Sequence, residues 1–530
     1  MTLVITDIRW KRAILELAFV SDAADDTLFL RRVKDGRAVV FEMRSADGGG
    51  VARLNLMAAQ GRSALPEGEW AVCRRAAGGE ARGVEYAPEV TDDIERFTRL
   101  FRYGNRSEAY AVSFSARDEG EGAFSLALEV MFLKRNAAPE KHPFDLRHLE
   151  KRALGALYRV IRFFTKRTGN RILFFKQNGE APTDNMAALK TRLAERGLDG
   201  RFEVACRFRN TLMGRQSLSA WIGDFRAIAR ADYIFVDDYA PVFDFIELSE
   251  GVVLTQLWHA GIGFKSVGYA RFGRPGSPGP FTSCHRAYTY ALVGNASLRD
   301  DYAEVFGIEH EALLATGMPR LDHFLDEDVA AAARARLVAE HPLLAQGRVV
   351  LFAPTYRGAG QQTAHYPYEQ FLDLEALHAL CERTDSRFVF KMHQFVRERP
   401  RIPARFADRI LDLSDEGLGE LSYAADVLVT DYSSCFYDFQ LLGRPVVFYT
   451  PDRVAYSLVH GVQRPVKETA PGVVCDDFEE LLEVLETGSY AAAAPCAETL
   501  DRCIERSGLA SDRVIDVVLL GRDVPGVRLE

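Results

Sequence analysis

From about residue 165 onward, apolar runs of strand length alternate with segments of helical pattern, and no other feature of the chain constrains its fold as strongly. "RILFF", "FEVACRF", "YIFVDD", "GVVLTQLW" and "YTYALVG" come first, and "RVVLFAP", "FVFKM", "VLVT" and "PVVFY" follow after a break at "HPLLAQGR" near residue 345. Strands that are apolar on both faces need cover on both faces, which crossover helices supply in a parallel sheet. Two such sets predict two Rossmann-like domains in tandem, at 139–340 and 341–530. The first 138 residues read differently. Short segments such as "DTLFLRRV", "AYAVSFSA" and "FSLALEVMFL" alternate with a period of two between turns like "SADGGG" and "AAGGEARG". That pattern predicts a β-rich accessory domain at 1–138, built as a small sandwich. Pro139 and Pro143 punctuate a linker before a helix expected to begin near Leu146.

A chain of 530 residues has room for two to four domains, each with its own core. Its formal charge of -9 argues against nucleic acid as the main partner. The eight cysteines include no C-x-x-C pair, so reduced thiols in a cytosol are expected and structural zinc is not. The N-terminus lacks the order of a signal peptide and no run approaches a membrane span, so any membrane contact is expected to be peripheral.

In an open parallel sheet, ligands sit beyond the carboxyl ends of the strands. Beyond "RVVLF" lie Thr355, Tyr356 and Arg357; beyond "FVFKM" lies His393; "VLVT" ends at Thr430 and is followed by Asp431, Ser433 and Ser434. All three loops are expected on one edge. Ser433 and Ser434 would begin a helix whose free N–H groups suit an anion, although a serine there can also be a simple N-cap. Arg357 and His393 on neighbouring strand ends add charge-assisted donors, and the set points to a diphosphate. There is no P-loop, and no G-x-G-x-x-G at a strand-to-helix junction, so neither an ATPase nor a dinucleotide oxidoreductase is supported. In the first set, "VVLTQLWHAGIGFKSVG" ends a strand at Trp258-His259, and His259 reads either as a general base facing the cleft or as a hydrogen-bonded structural residue. Gly317, Pro319 and Arg320 in "ATGMPRLDHF" either line the same cleft or close the domain.

"TQLWHAGIGFKSVG", "VLFAPTYRG", "FKMHQ" and "VTDYSSCFYDFQLLGRPVVFY" resemble the motif series of the CDP-glycerol glycerophosphotransferases, the glycerol- or ribitol-phosphate transferases of teichoic acid and capsule synthesis. The likeness runs from about residue 165 to 485. It implies a GT-B-like pair of domains with a donor-binding second unit and no metal or other cofactor. CDP-glycerol or CDP-ribitol would be the donor, a hydroxyl of a polyprenyl-diphosphate-linked or other polymer the acceptor, and CMP the product. Arg357, His393, Ser433 and Ser434 would hold the diphosphate within loops that also carry Thr355, Thr430 and Asp431, and His259 would stand at the base. The chain departs from the family's Trp-His-Gly-Thr-Pro at Ala260, Gly261 and Ile262, and from its His-Pro at Gln394. A GT-B glycosyltransferase with a nucleotide-sugar donor, or a polymer-binding protein with a degenerate site, are the alternative readings.

One further stretch stands out in an acidic chain. Residues 147–176 carry Arg147, Lys151, Arg152, Arg159, Arg162, Lys166, Arg167, Arg171 and Lys176 against Glu150. Leu154, Leu157, Tyr158, Ile161 and Phe164 recur at helical spacing. This face predicts either an anionic membrane partner, placing the protein at the inner face of the cell membrane, or a helix packed on the core with a solvated basic side.

Overall fold

The computed structural model describes residues 3–529 except 23–25, 47, 61–62, 76–78, 93–96, 104–107, 119–123, 134–145, 211–215, 259–265, 272–277, 280–282, 323, 325, 359–362, 463–464 and 494–508. His259 and Lys265 therefore lie outside the described residues.

The N-terminal third forms two sheets, almost wholly antiparallel. One is five-stranded, in the spatial order Glu42–Ala46, Gly49–Asn55, Ile14–Ser21, Leu3–Lys11, Glu85–Tyr86. The other is seven-stranded, with Glu108–Asp118, Phe124–Leu133, Gly68–Arg75 and Thr27–Arg32 at its centre. Alternation in the sequence becomes alternation of faces: Leu15, Leu17, Leu28, Leu30, Trp70, Tyr110, Val112 and Leu128 share one core. Tyr269, from far along the chain, is buried in that same core.

Two six-stranded sheets follow, and every neighbouring pair in them is parallel. By chain position the first, starting at Arg171–Lys176, has the order 2-1-3-4-5-6, and the second, starting at Arg348–Phe352, has the order 3-2-1-4-5-6. Strands Ser386–Phe390, Val427–Thr430 and Val446–Tyr449 are buried at every position because helices cover both faces. The expected α/β architecture is present, and in the second sheet the order reverses between Arg348–Phe352 and Val427–Thr430.

One expectation needs correction. Residues 510–529 lie not with the rest of the expected unit at 341–530 but on the first sheet, where Val514, Ile515, Val517, Val518, Leu519 and Val527 pack on Ile172, Phe174, Phe235 and Leu292. Arg192 and Arg196 pair with Asp512, and the Asp322 carboxylate accepts from Ala510 and Ser511 N–H, so the chain returns to the first sheet at its end. The basic helix, Leu146–Phe163, takes the second of its two expected arrangements, packed on the core: Leu154 and Tyr158 are buried, and Leu157 and Ile161 pack on the same core. Of that stripe only Phe164 is exposed, at 79%, beside Phe163 at 81% and Val160 at 56%. Among the described residues no helix is long and apolar enough to cross a membrane.

Candidate functional site

The loops after Phe352, Phe390 and Thr430 emerge from adjacent parallel strands, so they open on one edge, at the point where the strand order reverses. Thr430 is fully buried and its Oγ1 donates to the Ala353 carbonyl at 2.7 Å, tying two of these loops together. Asp431, also buried, accepts from the N–H of Thr355 at 2.8 Å and of Tyr432 at 2.6 Å. Thr355 Oγ1 is a buried hydroxyl without a hydrogen-bond partner among the described residues.

Arg357 occupies the centre of the edge in an arrangement the sequence did not suggest. Nε and Nη2 donate to the two Asp452 oxygens at 2.6 and 2.9 Å, and Nη1 donates to Asp431 Oδ2 at 2.9 Å and to the Thr355 carbonyl at 2.7 Å. The rings of Tyr456, Tyr366 and Tyr432 surround the guanidinium at 4.8, 5.2 and 5.3 Å. Burial among these groups, next to Asp431, pushes the Tyr366 and Tyr456 hydroxyls well above their ordinary range. A cation enclosed by two carboxylates and three rings acts first as a brace between strand ends.

His393 lies on the next loop, its ring 4.9 Å from both Tyr356 and Phe395. Its Nδ1 accepts the Phe395 N–H at 3.2 Å, so the neutral ring carries its proton on Nε2. Ser433 Oγ accepts from Cys435 N–H at 3.3 Å, and Ser434 is the N-cap of the helix Cys435–Leu441 without a side-chain cap bond. The two serines thus divide the local work, Ser433 closing the turn and Ser434 leaving its hydroxyl uncommitted to capping.

From the first sheet, Arg271 approaches the same edge with Tyr356 and Tyr456 as electrostatic neighbours, and burial lowers its pKa. The Ser266 N–H donates to the Gly461 carbonyl at 3.1 Å, joining the two sheets' loops here. At the end of Val253–Gln256, Trp258 adopts a left-handed φ of 57°, which a bulky residue holds only when its surroundings demand it. Gln256 Oε1 accepts its N–H at 3.0 Å and Asn185 Nδ2 donates to its carbonyl at 2.6 Å. Behind the indole, burial pushes His285 down to about 3, so this ring is neutral at physiological pH.

Sequence reasoning missed Asp452, Tyr366, Tyr456, Arg271, Asn185 and Asp438. Asp452 was within reach, because "FYTPD" places it just beyond another strand of the same sheet. The others carry no local signal, since their partners are remote in sequence.

The family model described as CDP-Glycerol:Poly(glycerophosphate) glycerophosphotransferase matches residues 157–520. The chain belongs to this family. Among its relatives, the teichoic acid poly(ribitol-phosphate) polymerase of Bacillus spizizenii is 32% identical over 418 residues, covering 77% of this chain and 66% of that one. The teichoic acid ribitol-phosphate polymerase TarL of Staphylococcus aureus is 32% identical over 63% of this chain and 60% of its own. The glycerophosphotransferase-family chain thus spans less than two thirds of these polymerases. The solved wall teichoic acid polymerase TagF superposes with a TM-score of 0.55 at 18% identity, covering 71% of this chain and 96% of that one, a likeness of fold. The N-terminal sheets lie outside the family match.

Proposed function

We propose that this protein transfers ribitol phosphate or glycerol phosphate from a CDP-alditol to a hydroxyl of a membrane-linked teichoic acid or capsule acceptor, releasing CMP. The observation that carries this reading is the convergence of Thr355, Arg357, His393, Thr430, Asp431, Ser433 and Ser434 on one strand edge within the span of the family match. The ribitol-phosphate polymerases among its relatives favour CDP-ribitol. In this reading the two parallel sheets form a GT-B-like pair, the unit at 341–509 binds the donor, the unit at 139–340 binds the acceptor, and the β-rich unit at 1–138 is accessory.

The acceptor oxygen attacks the alditol-bearing phosphorus, a new P–O bond forms, and the anhydride P–O bond to CMP breaks. His259 takes the hydroxyl proton. Phosphoryl transfer needs charge neutralised and reactants held in line more than it needs covalent help. His393 Nε2–H and the hydroxyls of Ser433 and Ser434 supply donors to the diphosphate, and Arg271 supplies positive charge from the opposite side. Arg357, already held by two carboxylates, acts by fixing the loops of Thr355 and Asp431.

Purified protein given each donor with a lipid-linked acceptor should release CMP and form a phosphodiester. His259→Ala should bind donor normally and turn over about 10²–10⁴-fold more slowly. Failure with both donors, or a glycosidic product from a nucleotide sugar, would overturn the assignment.

The membrane-linked acceptor fits the exposed end of the helix Leu146–Phe163. Val160, Phe163 and Phe164 stand out beside the exposed cations Arg159 and Lys166, whereas Arg162 and Arg167 are engaged by the carbonyls of Glu247 and Glu250. An apolar tip flanked by cations suits an anionic bilayer surface, at the inner face of the membrane. Phe163→Ser with Phe164→Ser should release the protein from anionic vesicles without lowering its melting temperature. Unchanged vesicle sedimentation would remove the membrane from this account.

A further inference from the structure

Asn185 is completely buried in the first turn of the helix Asp184–Glu195, although asparagine is mostly an exposed residue. Its amide is fully occupied. Nδ2 donates to the Trp258 carbonyl at 2.6 Å and to Asp237 Oδ1 at 3.1 Å, and Oδ1 accepts the Arg320 N–H at 2.9 Å. Arg320 then reaches out of the first sheet. Both its Nη atoms donate to the Asp438 carboxylate, Nη2 at 2.9 Å, while its Nε–H finds no acceptor among the described residues. Asp438 lies one turn into the helix capped by Ser434.

A continuous series of side-chain bonds therefore runs from the backbone of Trp258, the residue before His259, to the helix that follows Ser433 and Ser434. Neither sheet needs it for its own core, since each parallel sheet has separate apolar clusters on its faces. A bidentate arginine–carboxylate pair fixes direction as well as distance, which an apolar contact would not. The strained φ of Trp258 is maintained by the same amide that anchors Arg320.

We propose that Asn185, Arg320 and Asp438 are positioning residues that set Trp258, just beyond the strand Val253–Gln256, against the Ser434 helix, and so set the acceptor side of the site against the diphosphate donors. The inference rests on the transferase reading above. Misplacement of reacting groups by about 1 Å can cost on the order of 10² in rate.

The test is a double-mutant cycle on the full chain with Arg320→Gln and Asp438→Asn, together with Asn185→Ala and Arg320→Lys. Each of the first three should lower kcat by roughly 10²-fold with donor Kd unchanged. The double variant should be no slower than either single one, because the residues act as a unit. Arg320→Lys should recover part of the rate. Independently of activity, Asp438→Asn should speed amide hydrogen exchange at residues 253–258, in the other sheet.

Additive losses, wild-type kcat in folded variants, or exchange confined to the substituted side would overturn the proposal. If the wild-type protein releases no CMP from either donor, the transferase reading falls, and with it the catalytic role given to these residues. The exchange measurement still decides whether the two sides are linked.

Discussion

Two networks of arginine and carboxylate hold different parts of this molecule, and they differ in what surrounds them. At the second sheet's edge, Arg357, Asp431 and Asp452 form a nearly dry cluster, with the arginine side chain 8% exposed and Asp431 1% exposed. At the seam between the N-terminal sheets and the helix Arg299–Phe306, Arg44 and Arg53 meet Asp300, whose side chain is 40% exposed and also faces His310. The ions are alike, but their leverage is not. Breaking a buried pair strands a charge in a medium that cannot solvate it, whereas water and salt compensate an exposed one.

The seam is itself graded. Arg12 reaches Asp301 and a fully buried Glu304, and Glu304 Oε1 also accepts the Ala13 N–H at 3.2 Å. The opposite side of the same helix presents Phe306 to Trp258 at 5.1 Å. The N-terminal sheets are therefore connected, through one helix, to the loop entering the first sheet's strand edge.

The largest effect should follow removal of the enclosed cation. Arg357→Ala leaves Asp431 and Asp452 without a counter-ion and should cost about 3–5 kcal/mol of stability in a denaturant melt. Adding Asp431→Asn and Asp452→Asn should recover much of that loss. A cost no greater than that of a surface pair would break the comparison.

A smaller effect belongs to His310. Its hydrogen bond to Asp300 raises the imidazole pKa, with burial opposing and Glu42 and Glu311 assisting. A raised folded-state value stabilises fully below the ordinary histidine pKa near 6.5 and is lost as pH rises through the folded value. Wild-type protein should therefore lose up to about 1 kcal/mol on moving from below pH 6.5 to above the folded pKa, less at high salt. His310→Gln should flatten that profile. Asp300 behaves oppositely: His310 and Arg44 depress its pKa, so its contribution is present at neutral pH and disappears only in acid. A pH-independent melting temperature in the wild type would place the seam with the dry cluster.

Much of the architecture was legible because it depends on period. Apolar runs buried on both faces can be read as parallel strands before any coordinates exist, and the strand-end rule then selects Thr355, Arg357, His393 and Ser433 by position. Local pattern left two readings open at the basic helix. Leu154, Leu157, Tyr158 and Ile161 announce an apolar face, but Leu149, Val160, Phe163 and Phe164 make a second one, and periodicity does not say which of the two a neighbour will cover.

What the sequence determined alone is the set of strands, their burial and the edge on which polar loops emerge, since these follow from interactions between residues close along the chain. What only the tertiary structure decided is who meets whom on that edge. Arg357 reads as a donor to an anionic ligand until Asp452, 95 residues away, is folded against it. Asn185 reads as an ordinary helix-start residue until Trp258, 73 residues on, and Arg320, 135 residues on, close around its amide. A hydrogen bond needs atoms within about 3 Å, and that proximity is set by how sheets and helices pack, which local residue pattern does not specify.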